Sequence, residues 1–142
     1  MPRRRLLAAF TLVELCNTRQ AATNLIYPKI AINVPQQLDS NNMKFADFIC
    51  REAVTTGLTA ENKQEVIQQM ASKLMEAGKI EEDQFEGIVE AVLKREELGS
   101  TGIGRGVAVP HTKHSTVDQL FGTVAVSDEG VEFDSLDGDK VH

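Results

Sequence analysis

Leu98 to Lys113 reads LGSTGIGRGVAVPHTK, and the rest of the chain is organised around it. Gly99, Gly102, Gly104 and Gly106 fall within eight residues, with Ser100 and Thr101 among them. Glycine permits tight turns and close approach of backbone N–H groups to a ligand. N–H groups clustered beside hydroxyls suit an anion. Val107, Ala108 and Val109 form a short strand-like run that Pro110 stops. His111 is then expected to project from a strand end beside a glycine-rich loop, a place that favours chemistry.

Two usual readings of such a loop fail. A phosphate-binding P-loop needs Gly-Lys-Ser/Thr, which does not occur in this chain. A dinucleotide fingerprint needs GxGxxG. Val107 stands where the third glycine would follow Gly102 and Gly104, and Val109 spoils the frame that starts at Gly104 and Gly106. What remains is a histidine beside a candidate phosphate pocket.

The 142 residues suffice for one domain with its own core, and carry a net charge of −6. That charge argues against general affinity for nucleic acid. It is unevenly spread. Residues 1–42 hold five Lys/Arg and two Asp/Glu, and residues 43–142 hold ten and nineteen. Cys16 and Cys50 are far apart and near no histidine, which excludes a disulfide scaffold and a zinc site by pattern; no metal or cofactor is called for. A reducing cytoplasm is the default compartment. No apolar run reaches the ~18 residues of a membrane span, so no membrane insertion is expected.

Arg3, Arg4 and Arg5 precede an apolar run from Leu6 to Val13, the outline of a secretory signal. Glu14 ends the run and no small-residue cleavage site follows. Residues 21–42 are rich in Asn, Gln, Thr and Pro and read as linker. The division is therefore 1–42, an N-terminal extension that is disordered or the product of an over-long gene assignment, and 43–142, the domain.

Within the domain, Phe45, Phe48 and Ile49 share one side of a helical turn, and Val54 to Leu58 alternate like a strand. Thr59 is the expected N-cap of a helix over 60–77, with Ile67, Met70, Ala71 and Leu74 facing the core and Gly78 closing it. A second helix over 82–96 carries Phe85, Ile88, Val89 and Val92 on its apolar stripe. Lys94 reads as a solvated helix-end charge. Arg95 immediately precedes the glycine loop, where its planar guanidinium could reach a bound anion. Strands are expected over 120–126 and 131–133, and Lys140-Val141-His142 begins a further element. His114 and His142 read as ordinary surface or structural histidines, and Cys50 as core. Strands alternating with helices give an α/β class with a mixed sheet.

Arg95 to His111 resembles the active-site signature of the fructose/mannitol-type enzyme IIA domains (type 2) of the bacterial phosphoenolpyruvate-dependent sugar phosphotransferase system, whose nitrogen-related regulatory members share it. The resemblance runs from Met43 to His142 and includes Asn62-Lys63-Gln64-Glu65 and GVEFDSLDG. It implies a mixed β-sheet with helices on both faces, here incomplete at its C-terminal end. It implies that His111 accepts a phosphoryl group from the phosphocarrier HPr and passes it to an enzyme IIB domain. Arg95 corresponds to the pocket arginine and Thr101 to the hydroxyl residue near the phosphate. Gly102, Gly104 and Gly106 would supply phosphate-binding N–H groups. A neutral imidazole is a competent nucleophile near neutral pH, and phosphoryl transfer is mostly positioning and charge stabilisation. Direct transfer between proteins also calls for an exposed apolar rim. A sugar-transport phosphocarrier, a regulatory relative acting on protein partners, and an inactive remnant are the readings left open.

Overall fold

Asn62 opens the first long helix. Its extended backbone and its Oδ1, accepting the Glu65 N–H at 3.0 Å, make it the N-cap. Thr59, three residues earlier, has another part, since its carbonyl accepts from Gln69 Nε2 at 2.9 Å. The computed structural model describes residues 9–14 and 44–142. Its elements are β1 (Ala9–Glu14), α1 (Phe45–Phe48), β2 (Thr55–Thr56), α2 (Lys63–Glu76), α3 (Glu82–Glu97), β3 (Gly102–Gly104), β4 (Val107–Ala108), β5 (His111–Lys113) and β6 (Phe121–Val126). A short 3-10 turn, Arg51–Ala53, precedes β2.

Helix α2 ends at a Schellman motif. The Gly78 N–H donates to Met75 O and the Lys79 N–H to Leu74 O, both at 2.9 Å, with Gly78 at φ 69°. A short connection then turns the chain back into α3. Glu82 and Asp83 lie in the first turn of α3, and Lys94 and Arg95 in its last, each sign matching the helix dipole.

The stripes expected from helical spacing are the ones that pack. Val66, Ile67, Met70, Ala71 and Leu74 of α2 are buried, as are Ile88, Val89 and Val92 of α3. Burying a side chain of this kind contributes about 1.5–3 kcal/mol. The two helices pack on each other while α2 lies on β6 and β1 and α3 lies on β5, so they form one layer there. Phe121, Ala125, Phe133 and the buried Cys50 complete the core.

The main sheet runs in the order β2-β6-β1-β5 and is mixed. Strand β2 is parallel to β6, β1 is antiparallel to β6, and β1 is parallel to β5. A second pair, β3 and β4, is antiparallel. The segment 131–133 is not a strand. Val131 and Val141 instead exchange both backbone bonds, at 2.7 and 2.9 Å, in one isolated bridge. That bridge is the element that begins at residue 140.

Strand β1 lies within the stretch read from sequence as an N-terminal extension. Ala9–Glu14 pairs on both sides within the sheet. Phe10, Thr11 and Val13 are residue types that favour strands, which suits this placement. The supposed linker, the start at Met43 and Cys16 lie outside the described residues.

Candidate functional site

Strand β5 starts at His111, one residue after the buried Pro110. The ring is half-buried, and its Nδ1 lies 2.8 Å from the carbonyl oxygen of Val109. A carbonyl can only accept, so Nδ1 carries the proton and donates. In the neutral ring the lone pair is then on Nε2. A backbone contact two residues away thus fixes both the tautomer and the ring's orientation.

The glycine stretch folds as a hairpin. Arg105 and Gly106 have φ of 57° and 74°, and Gly104 and Val107 pair across them. Two central residues with positive φ define a type I′ turn, which matches strand twist. Gly104 is required by contact as well. A Cβ there would come within 2.8 Å of Asp137 Oδ2. At Gly102 a Cβ would lie 2.5 Å from Ser135 Oγ and 2.8 Å from Ser135 Cα. These glycines therefore let the hairpin lie against the segment 135–137, where Leu136 donates its N–H to Gly102 O at 3.1 Å.

The anion held by this hairpin is one of the protein's own. Asp137 Oδ2 accepts the Arg105 N–H at 2.7 Å, and Oδ1 accepts the Asp139 N–H at 3.1 Å. These two backbone donors, Arg105 first, hold the Asp137 carboxyl below the usual aspartate range. The Gly102 N–H donates to Ser100 Oγ at 3.1 Å. Of the amides in the stretch expected to cradle a phosphate, those at 102 and 105 have protein acceptors in this structure.

Thr101 is likewise committed. It is buried, and its hydroxyl donates to Glu96 Oε2 at 2.6 Å. Its N–H lies 3.0 Å from both Glu96 carboxylate oxygens. A hydroxyl has one proton to give, so Thr101 in this arrangement has none for a phosphate. Its role is to receive the loop from α3. Glu96, 3 % exposed, is the residue that sequence reasoning passed over. Lys63 Nζ stands 3.8 Å from Glu96 Oε1 and 2.7 Å from Asp134 Oδ2, linking α2 to the same junction. The available signal was the position of Glu96 beside Arg95 at the very end of an amphipathic stripe.

Arg95 sits half-buried in the last turn of α3, with Nη1 donating to Gly99 O at 3.1 Å. That bond ties the guanidinium to the loop that follows, and α3 packs against β5, the strand of His111. The other histidines are placed elsewhere. His114 Nδ1 lies 2.8 Å from Thr116 Oγ1 and its ring packs over Gly87. His142 donates its backbone N–H to Gly106 O at 3.0 Å.

Leu98, Ile103 and Leu136 are exposed at 84 %, 61 % and 83 %. All three belong to, or hydrogen-bond with, the stretch that leads to His111. Among the described residues, no cluster of three His, Cys, Asp or Glu side chains could hold a metal, and no helix is long and apolar enough to cross a membrane.

Comparison with known proteins places the chain in a family. Residues 47–142 match the family described as the phosphoenolpyruvate-dependent sugar phosphotransferase system, EIIA 2. A nitrogen regulatory protein of Bradyrhizobium diazoefficiens is 33 % identical over 99 residues, covering 70 % of this chain and 63 % of that protein. The fructose-specific EIIABC component of Bacillus subtilis is 35 % identical over 100 residues, 70 % of this chain but 15 % of that protein. The crystal structure of the nitrogen regulatory protein IIA-Ntr from Neisseria meningitidis superposes with a TM-score of 0.59 at 29 % identity, covering 67 % of this chain and 63 % of that one. The chain thus spans less than two thirds of the length of these relatives. With the signature, the mixed α/β fold and the family match in agreement, the chain belongs to the type-2 EIIA family of the phosphoenolpyruvate-dependent sugar phosphotransferase system.

Proposed function

We propose that the chain is a histidine phosphoryl carrier that takes its phosphoryl group from HPr on Nε2 of His111 and hands it to an enzyme IIB domain. The observation that carries this reading is the 2.8 Å contact of His111 Nδ1 with Val109 O, which leaves the Nε2 lone pair free. In the forward step Nε2 attacks phosphorus, the donor's phosphorus–nitrogen bond breaks, and the donor imidazole leaves with that electron pair. The proton on Nδ1 stays in its bond to Val109 O, which stabilises the positive charge gained by the ring. Arg95 offsets the charge spread over the phosphoryl oxygens. In the onward step the IIB nucleophile attacks phosphorus, the phosphorus–Nε2 bond breaks, and the electron pair returns to the His111 ring. Leu98, Ile103 and Leu136 form the apolar rim on which both partners dock. Such a carrier works in the cytoplasm.

A regulatory role is the second reading, because two of the similar proteins are nitrogen regulatory proteins. In that role the same phosphorylation switches binding to a target protein. The test is incubation of the full chain with phosphoenolpyruvate, enzyme I and HPr, read by intact mass. One acid-labile phosphoryl group on the wild type and none on His111→Ala supports the carrier. Label that persists on His111→Ala overturns the site. Transfer onward to a IIB domain separates the transport role from the regulatory one.

A further inference from the structure

Strand β5, which begins with His111, has a single strand neighbour among the described residues, and that neighbour is β1. The register sets Leu12 opposite His111, Val13 opposite Thr112 and Glu14 opposite Lys113. On its other edge β1 runs antiparallel to β6, from Ala9 opposite Ala125 to Val13 opposite Phe121. Strand β6 is the longest strand within the matched domain and is tied along its far edge to the core by Cys50 N–H to Gly122 O and Leu58 N–H to Val126 O. The strand of the candidate nucleophile is therefore joined to the rest of the sheet through six residues from a remote part of the chain. Those six residues lie outside the family match, which starts at residue 47, although both strands they pair with lie inside it.

We propose that Ala9–Glu14 is a positioning strand for phosphoryl transfer: an added segment that completes the sheet between β5 and β6 and sets where His111 stands. The sequence of the segment fits that task. Leu6 to Val13 is apolar except for Thr11, and Phe10, Thr11 and Val13 are among the residues that favour strands. It ends at Glu14, whose partner Lys113 ends β5. An unpaired β5 would keep its covalent links to Pro110 and to the 114–120 loop, but would lose the ladder that fixes its height relative to β6. The proposal rests on His111 being the phosphoryl acceptor. Misplacing a reacting group by about 1 Å costs on the order of 10²-fold in rate.

Three measurements on the full chain test it. The first uses the unmodified protein: backbone contacts by nuclear Overhauser effect between Leu12 and His111, and between Thr11 and Thr123. Their presence is expected, and their absence overturns the strand assignment without reference to any activity. The second is Leu12→Pro, which removes one ladder N–H and disfavours the extended register. Amide exchange at Thr112 and Phe121 to Val126 is expected to accelerate while the core of α2 and α3 stays protected. Phosphorylation by HPr is expected to slow about 10²-fold at saturating donor. Leu12→Val, which keeps the N–H and the strand preference, is expected to transfer at the wild-type rate. Unchanged exchange and unchanged transfer in Leu12→Pro overturn the proposal. If Leu12→Pro unfolds α2 and α3 as well, Leu12→Gly takes its place, and the same comparison decides. If the wild type takes no phosphoryl group, the functional reading fails while the contacts and exchange still judge the strand. In the third, a synthetic peptide of residues 6–15 added to Leu12→Pro is expected to restore the lost exchange protection and part of the transfer rate. Failure of the peptide to restore either, at concentrations where it is soluble, overturns the loss of strand β1 as the cause.

Discussion

Removing the Glu96 carboxylate is expected to cost more stability than any comparable change in the described loops. Glu96 is 3 % exposed at the end of α3 and accepts from both the N–H and the hydroxyl of Thr101, at 3.0 and 2.6 Å. Thr101 is itself 5 % exposed, so water cannot replace the lost acceptor easily. In Glu96→Ala two buried donors are orphaned, each at about 1–3 kcal/mol. Removing a buried charge recovers part of this, and Lys63 keeps its 2.7 Å contact with Asp134. The expected net loss is about 2–4 kcal/mol, out of a total of roughly 5–15 kcal/mol for a domain. Glu96→Gln keeps an acceptor oxygen and is expected to cost about 1 kcal/mol. Urea unfolding at constant slope measures both. A double-mutant cycle with Thr101→Val is expected to show strong coupling between the two residues, because Val removes the hydroxyl that Glu96 serves. Glu96→Ala within about 0.5 kcal/mol of wild type, the range of an ordinary surface change, would refute the account of this junction.

Three other outcomes follow from the site. Gly102→Ala forces a Cβ to 2.8 Å from Ser135 Cα, and is expected to destabilise the domain by about 1–3 kcal/mol. Ser135→Gly, which removes only the side chain, is not expected to rescue it; full rescue in urea melts would show that the side chain alone was in the way. Arg95→Ala is expected to slow phosphoryl transfer while leaving the urea midpoint within about 0.5 kcal/mol of wild type, and a lowered midpoint would assign Arg95 to structure instead. Asp137 has a lowered folded-state pKa, so its contribution is present above the ordinary aspartate value and is lost as pH falls through the lowered one. The Arg105 amide resonance is expected to shift across that acidic range, and not to shift in Asp137→Asn.

The parts of this protein that repeat locally were legible in its sequence. The stripes of α2 and α3, the Gly78 stop and the strand at Phe121–Val126 follow from spacing alone, because each burial pattern is written within one element. The family signature implied the mixed α/β class, which the structure has. What spacing did not reveal depends on contacts between remote residues. The pairing of Val131 with Val141 needs only one bridge, too short to leave a period. Asn62 outcompetes Thr59 as N-cap because its side chain reaches the Glu65 N–H, which is a matter of backbone geometry. Asp137 satisfies an amide 32 residues before it, so a loop that looks open to external anions is partly filled from within. The apolar run around Ala9–Glu14 has the outline of a targeting segment without its cleavage site, and nothing local marks such a run as a strand inside a sheet. Only the register against β5 and β6 does so.

The central claim is that His111 carries the phosphoryl group, and on Nε2. Phosphorylation of the wild-type chain by phosphoenolpyruvate, enzyme I and HPr, followed by phosphorus and nitrogen NMR of the imidazole, tests it most directly. The Nδ1–H bond to Val109 O predicts a single phosphohistidine with phosphorus on Nε2 and the proton still on Nδ1. Phosphorus on Nδ1, or on any residue other than His111, would contradict the account.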